Sequence, residues 1–286
     1  MKNMKKALAL VLVFAMLFVV AGCGNKDDGD AGSNAKYTAR EVADKMLDAM
    51  SKVESIQNEI SFKMDINMSM EAEGASFDMG MSMDMDVQTV SSTNPVAAYS
   101  KAVMVMDYMG ESETQTTETY LVEEDGEYVT YTLVEDYWSR SVVDDEEKDK
   151  LVNGVNYGYL KEMKDEDLNL AKEIQKIDDK KTYVLSFNVS GDYLSEQGMD
   201  MDELMGMGVD MDDVSFPMTL YIDTESFLPV RATIDMDAMT DMIDQMMAQS
   251  MGDLGVEVNM EVKCEDFVSN ISYDVEVPAV PAEAKD

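Results

Sequence analysis

Alternation of apolar and polar residues dominates two neighbouring segments in the first third of the chain. In residues 60–70 every even position is apolar, and in residues 77–87 every odd position is apolar. A period of two is typical of a β-strand with one buried face and one face in water. Residues 71–76, which join the two segments, are mostly small or polar. The pattern therefore predicts one long antiparallel hairpin.

The change of parity between the two segments determines the register of this hairpin. Opposed residues of an antiparallel pair share one face of the sheet, and their residue numbers have a constant sum. Pairing Met70 with Phe77 places Met64 opposite Met83 and puts both apolar sets on the same face. A slip of one residue would turn one set into water, so the sequence specifies the register strongly.

The same alternation recurs along the chain and predicts roughly ten antiparallel strands in all. One hairpin is expected to turn at Asp125-Gly126, a dipeptide that favours the primed turns. This hairpin covers residues 117–134, and the further strands are expected in residues 99–108, 137–143, 183–189, 214–222, 228–236, 256–264 and 271–277.

Helical spacing is found in a few segments only. Thr38 and Glu41 form a capping box ahead of an amphipathic helix that is expected to end near Glu54. Further helices are expected in residues 165–177, with Asp165 as the cap, and in residues 193–207 and 239–247, while the proline-containing tail is expected to be coil. These elements predict an α+β fold, in which a large curved antiparallel sheet, an open half-barrel, wraps over helices. We expect one domain over residues 37–278 and a C-terminal tail over residues 279–286.

The first residues have the organisation of a bacterial lipoprotein signal. Three lysines precede an apolar run over residues 7–20, which is too short for a membrane-spanning helix of about 20 residues. The run ends in "VAGC", which resembles a lipobox, where a diacylglycerol is attached to the cysteine and the chain is cut before it. We expect residues 1–22 to be the signal peptide and residues 23–36 to be the lipidated Cys23 with a polar tether. The alternative is an ordinary secretory peptide with a chance cysteine.

Charge and missing residue types exclude several functions. The chain has 22 basic and 59 acidic residues and a formal charge of −37, so it repels nucleic acid and anionic headgroups. It contains no histidine, which excludes a histidine-based triad and imidazole metal ligands. Residues 200–203 and 210–213 are acidic but lack the spacing of a calcium loop. We therefore expect no enzyme, no cofactor and no nucleic-acid partner, and we assign no metal ligand.

Methionine is the unusual component of the chain, with 29 residues. Thioethers suit Cu(I), and cross-strand pairs approach to about 4.5–5.5 Å between Cβ atoms. Methionine also lines surfaces that adapt to varied apolar partners. Three interpretations remain open: the wall of a cavity for an apolar ligand, a Cu(I) site built from paired methionines, and the packed core of a structural or partner-docking domain. The candidate wall consists of Phe62, Met64, Ile66, Met68, Phe77, Met79, Met81, Met83 and Met85.

The whole pattern resembles Gram-positive lipoproteins of the lipoprotein-localisation superfamily, to which LolA, LolB, LppX and LprG belong. The resemblance rests on the lipobox, the tether, the capped helix, the long alternating strands, and the segments "YIDTESFLPVRATI" (residues 221–234) and "KTYVLSFNVSGDYL" (residues 181–194). It covers roughly residues 37–278. It implies an unclosed barrel with an apolar cavity that holds acyl chains in characterised relatives. The expected function is therefore to bind or carry a lipid at the extracytoplasmic face of the cell membrane.

Overall fold

The computed structural model describes residues 36–285, with gaps at 73–74, 109–110, 135, 154–156, 191–214, 238–239 and 241–256. The described residues contain helices α1 (Ala39–Met50) and α2 (Asp145–Asn153) and thirteen strands that form one antiparallel sheet. The strands are β1 (Ser55–Ala72), β2 (Ala75–Thr93), β3 (Val96–Tyr108), β4 (Glu111–Glu124), β5 (Glu127–Val134), β6 (Tyr137–Val143), β7 (Asn169–Leu170), β8 (Gln175–Ile177), β9 (Lys180–Ser190), β10 (Ser215–Asp223), β11 (Pro229–Ile234), β12 (Glu257–Cys264) and β13 (Phe267–Tyr273).

The sheet is open and mostly follows the order of the chain. Its strand order is β6-β5-β4-β3-β2-β1-β13-β11-β10-β9-β7, and β8 pairs with β9 beside β7. Strand β1 is long enough to pair with two strands on its second edge, with β13 near its start and with β12 farther along. The fold is thus a large antiparallel sheet with few helices that is not closed into a barrel. The fold class expected from the alternation is confirmed.

The register of the β1–β2 hairpin is the one that parity predicts. Met70 lies opposite Phe77 and Met64 lies opposite Met83. With 18 residues in β1 and a rise of about 3.3 Å per residue, the hairpin is roughly 60 Å long. The β4–β5 turn is also confirmed: Asp125 and Gly126 have φ of 54° and 84°, and positive values at both positions are what a type I′ turn requires.

Helix α1 begins at the predicted capping box. The Thr38 amide donates to the Glu41 carboxylate at 2.8 Å, and the Glu41 amide donates to the Thr38 hydroxyl at 3.2 Å. Val42, Ala43 and Met46 are fully buried against the sheet. The helix ends at Met50, a few residues before the expected end.

The prediction of a helix in residues 165–177 is wrong. Residues 165–167 form one short 3₁₀ turn, and β7 and β8 follow it. The apolar residues of this segment face two different cores: Leu168 and Ile174 contact the cluster around α1, whereas Ala171 and Ile177 contact a cluster on the other side of the sheet. A single helical stripe cannot face both sides, while two short strands on the edge of β9 can.

The last strand differs from expectation, and the tail, which is coil as expected apart from one 3₁₀ turn, differs in its packing. Strand β13 is Phe267–Tyr273, earlier than the predicted 271–277. The tail does not trail into solvent: it crosses the sheet and ends in a 3₁₀ turn, Ala282–Ala284. Its apolar residues cover an aromatic cluster on the sheet, which consists of Tyr99, Tyr120, Tyr131 and Trp138 and is packed against Val275, Val277, Val280 and Ala284. The helix expected in residues 193–207 lies outside the described residues. Of the helix expected in residues 239–247 only Thr240 is described, and its amide donates to the Met236 carbonyl at 3.0 Å.

The two faces of the sheet therefore have different covers. We call one the α1 face, because α1 packs there with Ile60, Phe62, Met85 and Leu220 among other residues. The opposite face carries the aromatic cluster and the tail. Helix α2 packs on the α1 face through Val152 and Leu151, near the start of β3 and the end of β4.

Candidate functional site

The candidate site is the apolar row that the β1–β2 hairpin presents on its α1 face. The structure brings together a set of the predicted wall residues there, and we call this set the methionine strip: Phe62, Met64, Ile66, Met83 and Met85. Met68, Phe77 and Met79 continue the same register, but their side chains lie outside the described residues.

Burial decreases along the strip with distance from α1. Phe62 and Met85 are 6% and 8% exposed and belong to the core cluster around α1. The Phe62 ring stacks on Phe267 with ring centroids 4.5 Å apart. Met64, Ile66 and Met83 are half-buried, and the next wall residue, Met81, is 37% exposed. The strip thus leads from the protein core to a partly open apolar surface.

Two neighbouring strands widen the strip with residues that the sequence analysis did not select. On β3, Met104 lies opposite Met85 and Met106 lies opposite Met83. On β12, the half-buried Cys264 lies opposite Met64. The constant-sum rule that gave the β1–β2 register would also have found the β3 methionines, had it been applied to the turn at residues 94–95.

Charged residues near the strip lie on the opposite face of the hairpin. Lys63 Nζ is 3.5 Å from the Asp84 carboxylate, and the negative charge of Asp84 raises the pKa of Lys63. At the α1 end of β1, burial raises the pKa of Tyr273 well above its usual value, so its hydroxyl stays neutral and donates to the Pro229 carbonyl at 2.6 Å. The strip itself presents neutral, polarizable side chains.

Arg40 fastens the helix that covers the inner end of the strip. Its guanidinium donates to the carbonyl oxygen of Leu160 at 2.6 Å and also to that of Met163. Its Nε donates to the Asp165 carboxylate at 2.8 Å. These contacts join α1 to residues 157–165, so that both pack on the sheet as one cover.

Two other features are absent from the described part of the chain. Within it, no three Asp, Glu or Cys side chains converge as metal ligands. No helix among the described residues is long and apolar enough to span a membrane. The arrangement can therefore offer an apolar contact surface, with sulfur atoms as its most polarizable groups.

The sheet and its strip define an open half-barrel protein with an apolar candidate site. The chain belongs to the family described as "Family of unknown function (DUF6612)", whose model matches residues 38–286. No curated protein matches the chain in sequence.

Similar solved structures include a LolA superfamily protein from Nitrosomonas europaea, with 11% identity, a TM-score of 0.21, and coverage of 86% of this chain and 96% of that one. A DUF1329 family protein from Desulfovibrio piger is 9% identical, with a TM-score of 0.24 and coverage of 84% and 93%. The MucA/MucB complex of Pseudomonas aeruginosa is 11% identical, with a TM-score of 0.28 and coverage of 84% and 58%. The superfamily named by the sequence resemblance is thus among the similar structures.

Proposed function

We propose that this protein is a membrane-anchored extracytoplasmic lipoprotein, without enzymatic activity, that binds an acyl chain or another apolar ligand along the methionine strip. The observation that supports the proposal is the gradient of burial on the α1 face, from the enclosed Phe62 and Met85 to the half-buried Met64 and Met83 and the exposed Met81. A ligand that extends along this row would bury apolar surface. Each Å² of apolar surface removed from water stabilises the complex by roughly 25 cal/mol.

The residue type also favours an exchangeable ligand over a permanently filled core. Methionine is unbranched and flexible, and it adapts to partners of different shape better than leucine or isoleucine. In the strip, two of the three half-buried positions are methionines, Met64 and Met83, and the third is Ile66. A strip of this kind can contact an acyl chain in more than one position.

The proposal includes the location of the protein. Cleavage before Cys23 and lipidation of its thiol would place residues 37–278 outside the membrane on a short tether of residues 23–36. Replacement of Cys23 by Ala should leave the full-length precursor unlipidated, which intact-mass spectrometry of the membrane fraction would detect. An unchanged, lipidated product in the Cys23→Ala variant would contradict this part of the proposal.

Native mass spectrometry of the protein purified from its own membrane tests the binding function directly, together with displacement of a fluorescent fatty acid. The variants Met64→Gln and Met83→Gln should weaken binding of the fatty acid, because they place an amide in the apolar strip at nearly unchanged side-chain length. Ser82→Gln introduces the same side chain on the other face of the same strand and serves as the matched control. Absence of saturable binding in the wild type, or equal loss in the control, would refute the proposal.

A Cu(I) site is the second candidate, and one observation favours it. The register places Cys264, Met64 and Met83 in one cross-strand row, in which neighbouring Cβ atoms are about 4.5–5.5 Å apart. Soft sulfur ligands of this kind select Cu(I). Met64→Leu and Met83→Leu distinguish the two functions: they remove sulfur but keep apolar bulk, so fatty-acid binding should persist while stoichiometric Cu(I) binding would be lost. If the protein binds neither the fatty acid nor Cu(I), the remaining interpretation is a structural or partner-docking domain.

A further inference from the structure

The C-terminal tail, which follows β13, packs on the sheet as a separate segment. Its apolar residues contact the aromatic cluster on the face opposite α1; they are Val275, Val277, Val280 and Ala284. Among the described residues, no backbone hydrogen bond joins residues 276–283 to the sheet. A strand of the sheet would be held by a ladder of such bonds. The tail is therefore held mainly through its side chains, in the way that a docked peptide is.

The sequence of the tail is of a kind that aromatic surfaces recognise in extended form. It contains "PAVP" (residues 278–281), with two prolines three positions apart. Pro281 has φ of −66° and ψ of 150°, which are the angles of a polyproline II helix. Aromatic-lined grooves bind such segments because this helix is preformed and loses little entropy on binding. The surface beneath the tail has this composition: the ring centroids of Tyr99 and Tyr120 are 4.9 Å apart, and those of Tyr120 and Trp138 are 6.0 Å apart.

A charged contact lies at the end of the same surface. The Lys285 ammonium donates to the Glu124 carboxylate and lies 5.6 Å from the centroid of the Tyr131 ring. The Tyr131 hydroxyl donates to the same carboxylate at 2.7 Å, and a guanidinium nitrogen of Arg140 lies 3.7 Å from it. The Glu124 side chain is 25% exposed, so its environment is partly shielded from water. The cluster thus offers aromatic surface followed by an acceptor for a basic side chain.

We propose that the aromatic cluster is a recognition surface for extended, proline-containing segments that carry a basic residue after their apolar positions. The chain's own tail occupies this surface in cis, and a partner protein with a segment of the same chemistry binds by taking the place of the tail. The contacts of the tail define what such a partner needs: apolar residues where Val277 and Val280 lie, proline to keep the segment extended, and a basic residue for Glu124. The surface and the methionine strip are on opposite faces of the sheet, so this binding is separate from that of an apolar ligand.

The test uses a synthetic peptide of residues 275–286 as the partner segment. Fluorescence of Trp138 is the readout, because it is the single tryptophan and packs in the cluster. Val280→Asp in the full chain places a charge against the aromatic rings and should displace the tail. We expect the peptide to half-saturate this variant at a concentration roughly tenfold lower than the wild type, because only the wild type has its surface filled in cis. A scrambled peptide of the same composition should not bind.

Val142→Asp is the matched control, because Val142 is 52% exposed and is not among the cluster residues. It should respond to the peptide as the wild type does. Lys285→Glu is a second variant, which keeps the apolar contacts of the tail. Repulsion from Glu124 should loosen the tail and lower the half-saturating concentration by up to about fivefold, the range expected for an exposed ion pair.

Four results would overturn the inference. They are no saturable binding to either Val280→Asp or Lys285→Glu, equal half-saturation of the wild type and Val280→Asp, equal binding of the scrambled peptide, and a wild-type dimer formed by exchange of tails. The last result would make a second copy of the chain the occupant. None of them bears on fatty-acid binding, which is measured separately.

Discussion

Replacement of Arg40 by Met tests how the cover of the site is held in place. Methionine keeps most of the apolar stem and removes every hydrogen-bond donor of the guanidinium. The carbonyl oxygens of Leu160 and Met163 then lose their side-chain donor, and Asp165 loses its ion pair. We expect α1 and residues 157–165 to separate more readily, although the fold of the sheet remains.

The magnitude follows from the exposure of each group. A hydrogen bond to a charged group contributes about 1.5–3 kcal/mol, and the Arg40 side chain is 20% exposed, so water replaces only part of each carbonyl contact. Asp165 is 79% exposed, and an exposed ion pair contributes about 0–1 kcal/mol. We therefore expect Arg40→Met to lower the free energy of unfolding by about 2–4 kcal/mol.

Denaturant unfolding measures the total effect, and hydrogen exchange locates it. Amides of residues 157–163 and of α1 should lose protection in the variant, while the β1–β2 hairpin should not. Arg40→Lys is the control, since it keeps the charge but cannot donate to the two carbonyls and to Asp165 together; it should recover less than half of the loss. A loss below about 0.5 kcal/mol, the usual range of surface substitutions, or full recovery by lysine would refute the reasoning.

Three further predictions concern the cap, the core and the tail. Thr38→Ala should destabilise α1 by about 1 kcal/mol and Thr38→Ser by much less, as measured by denaturant unfolding. Leu220→Ala, at a fully buried position, should cost about 2.7–5.0 kcal/mol in the same assay. The hydrogen bond from Lys285 lowers the pKa of Glu124; its stabilisation of the tail should be complete above the ordinary glutamate value of about 4.3 and lost as the pH falls through the lowered value. Fluorescence of Trp138, the single tryptophan, should report this release, and Glu124→Gln should abolish the pH dependence.

The central hairpin was predictable because two independent signals agree in its sequence. Period-two alternation gives the strands, and the parity change gives the register, so that Met64 and Met83 are paired without any tertiary information. The capping box is equally local, since its two hydrogen bonds join residues three positions apart. Features of this kind need no knowledge of the rest of the fold.

Features that depend on distant partners were not predictable. Residues 165–177 carry apolar residues at helical spacing, but the free edge of β9 binds them as strands: the Ala171 amide donates to the Val184 carbonyl at 2.9 Å. The tail is coil, as expected, but its packing was not predictable, because the aromatic cluster that it contacts lies on strands far away in sequence. Asn58 and Ser100 stand among alternating residues like ordinary surface positions, and only the register reveals that they share one buried row.

The hairpin has a core part and a candidate-site part because helix α1 is much shorter than strand β1. Helix α1 has 12 residues and is therefore about 18 Å long, whereas β1, with 18 residues, extends for roughly 60 Å. α1 alone cannot cover an apolar row of that length, so the row passes from Ile60 and Phe62 in the core to Met64 and Met81 at increasing exposure. Apolar residues kept beyond the reach of α1 cost solubility and contribute little to its packing. Their persistence at every second position is what the proposed binding of an apolar ligand requires.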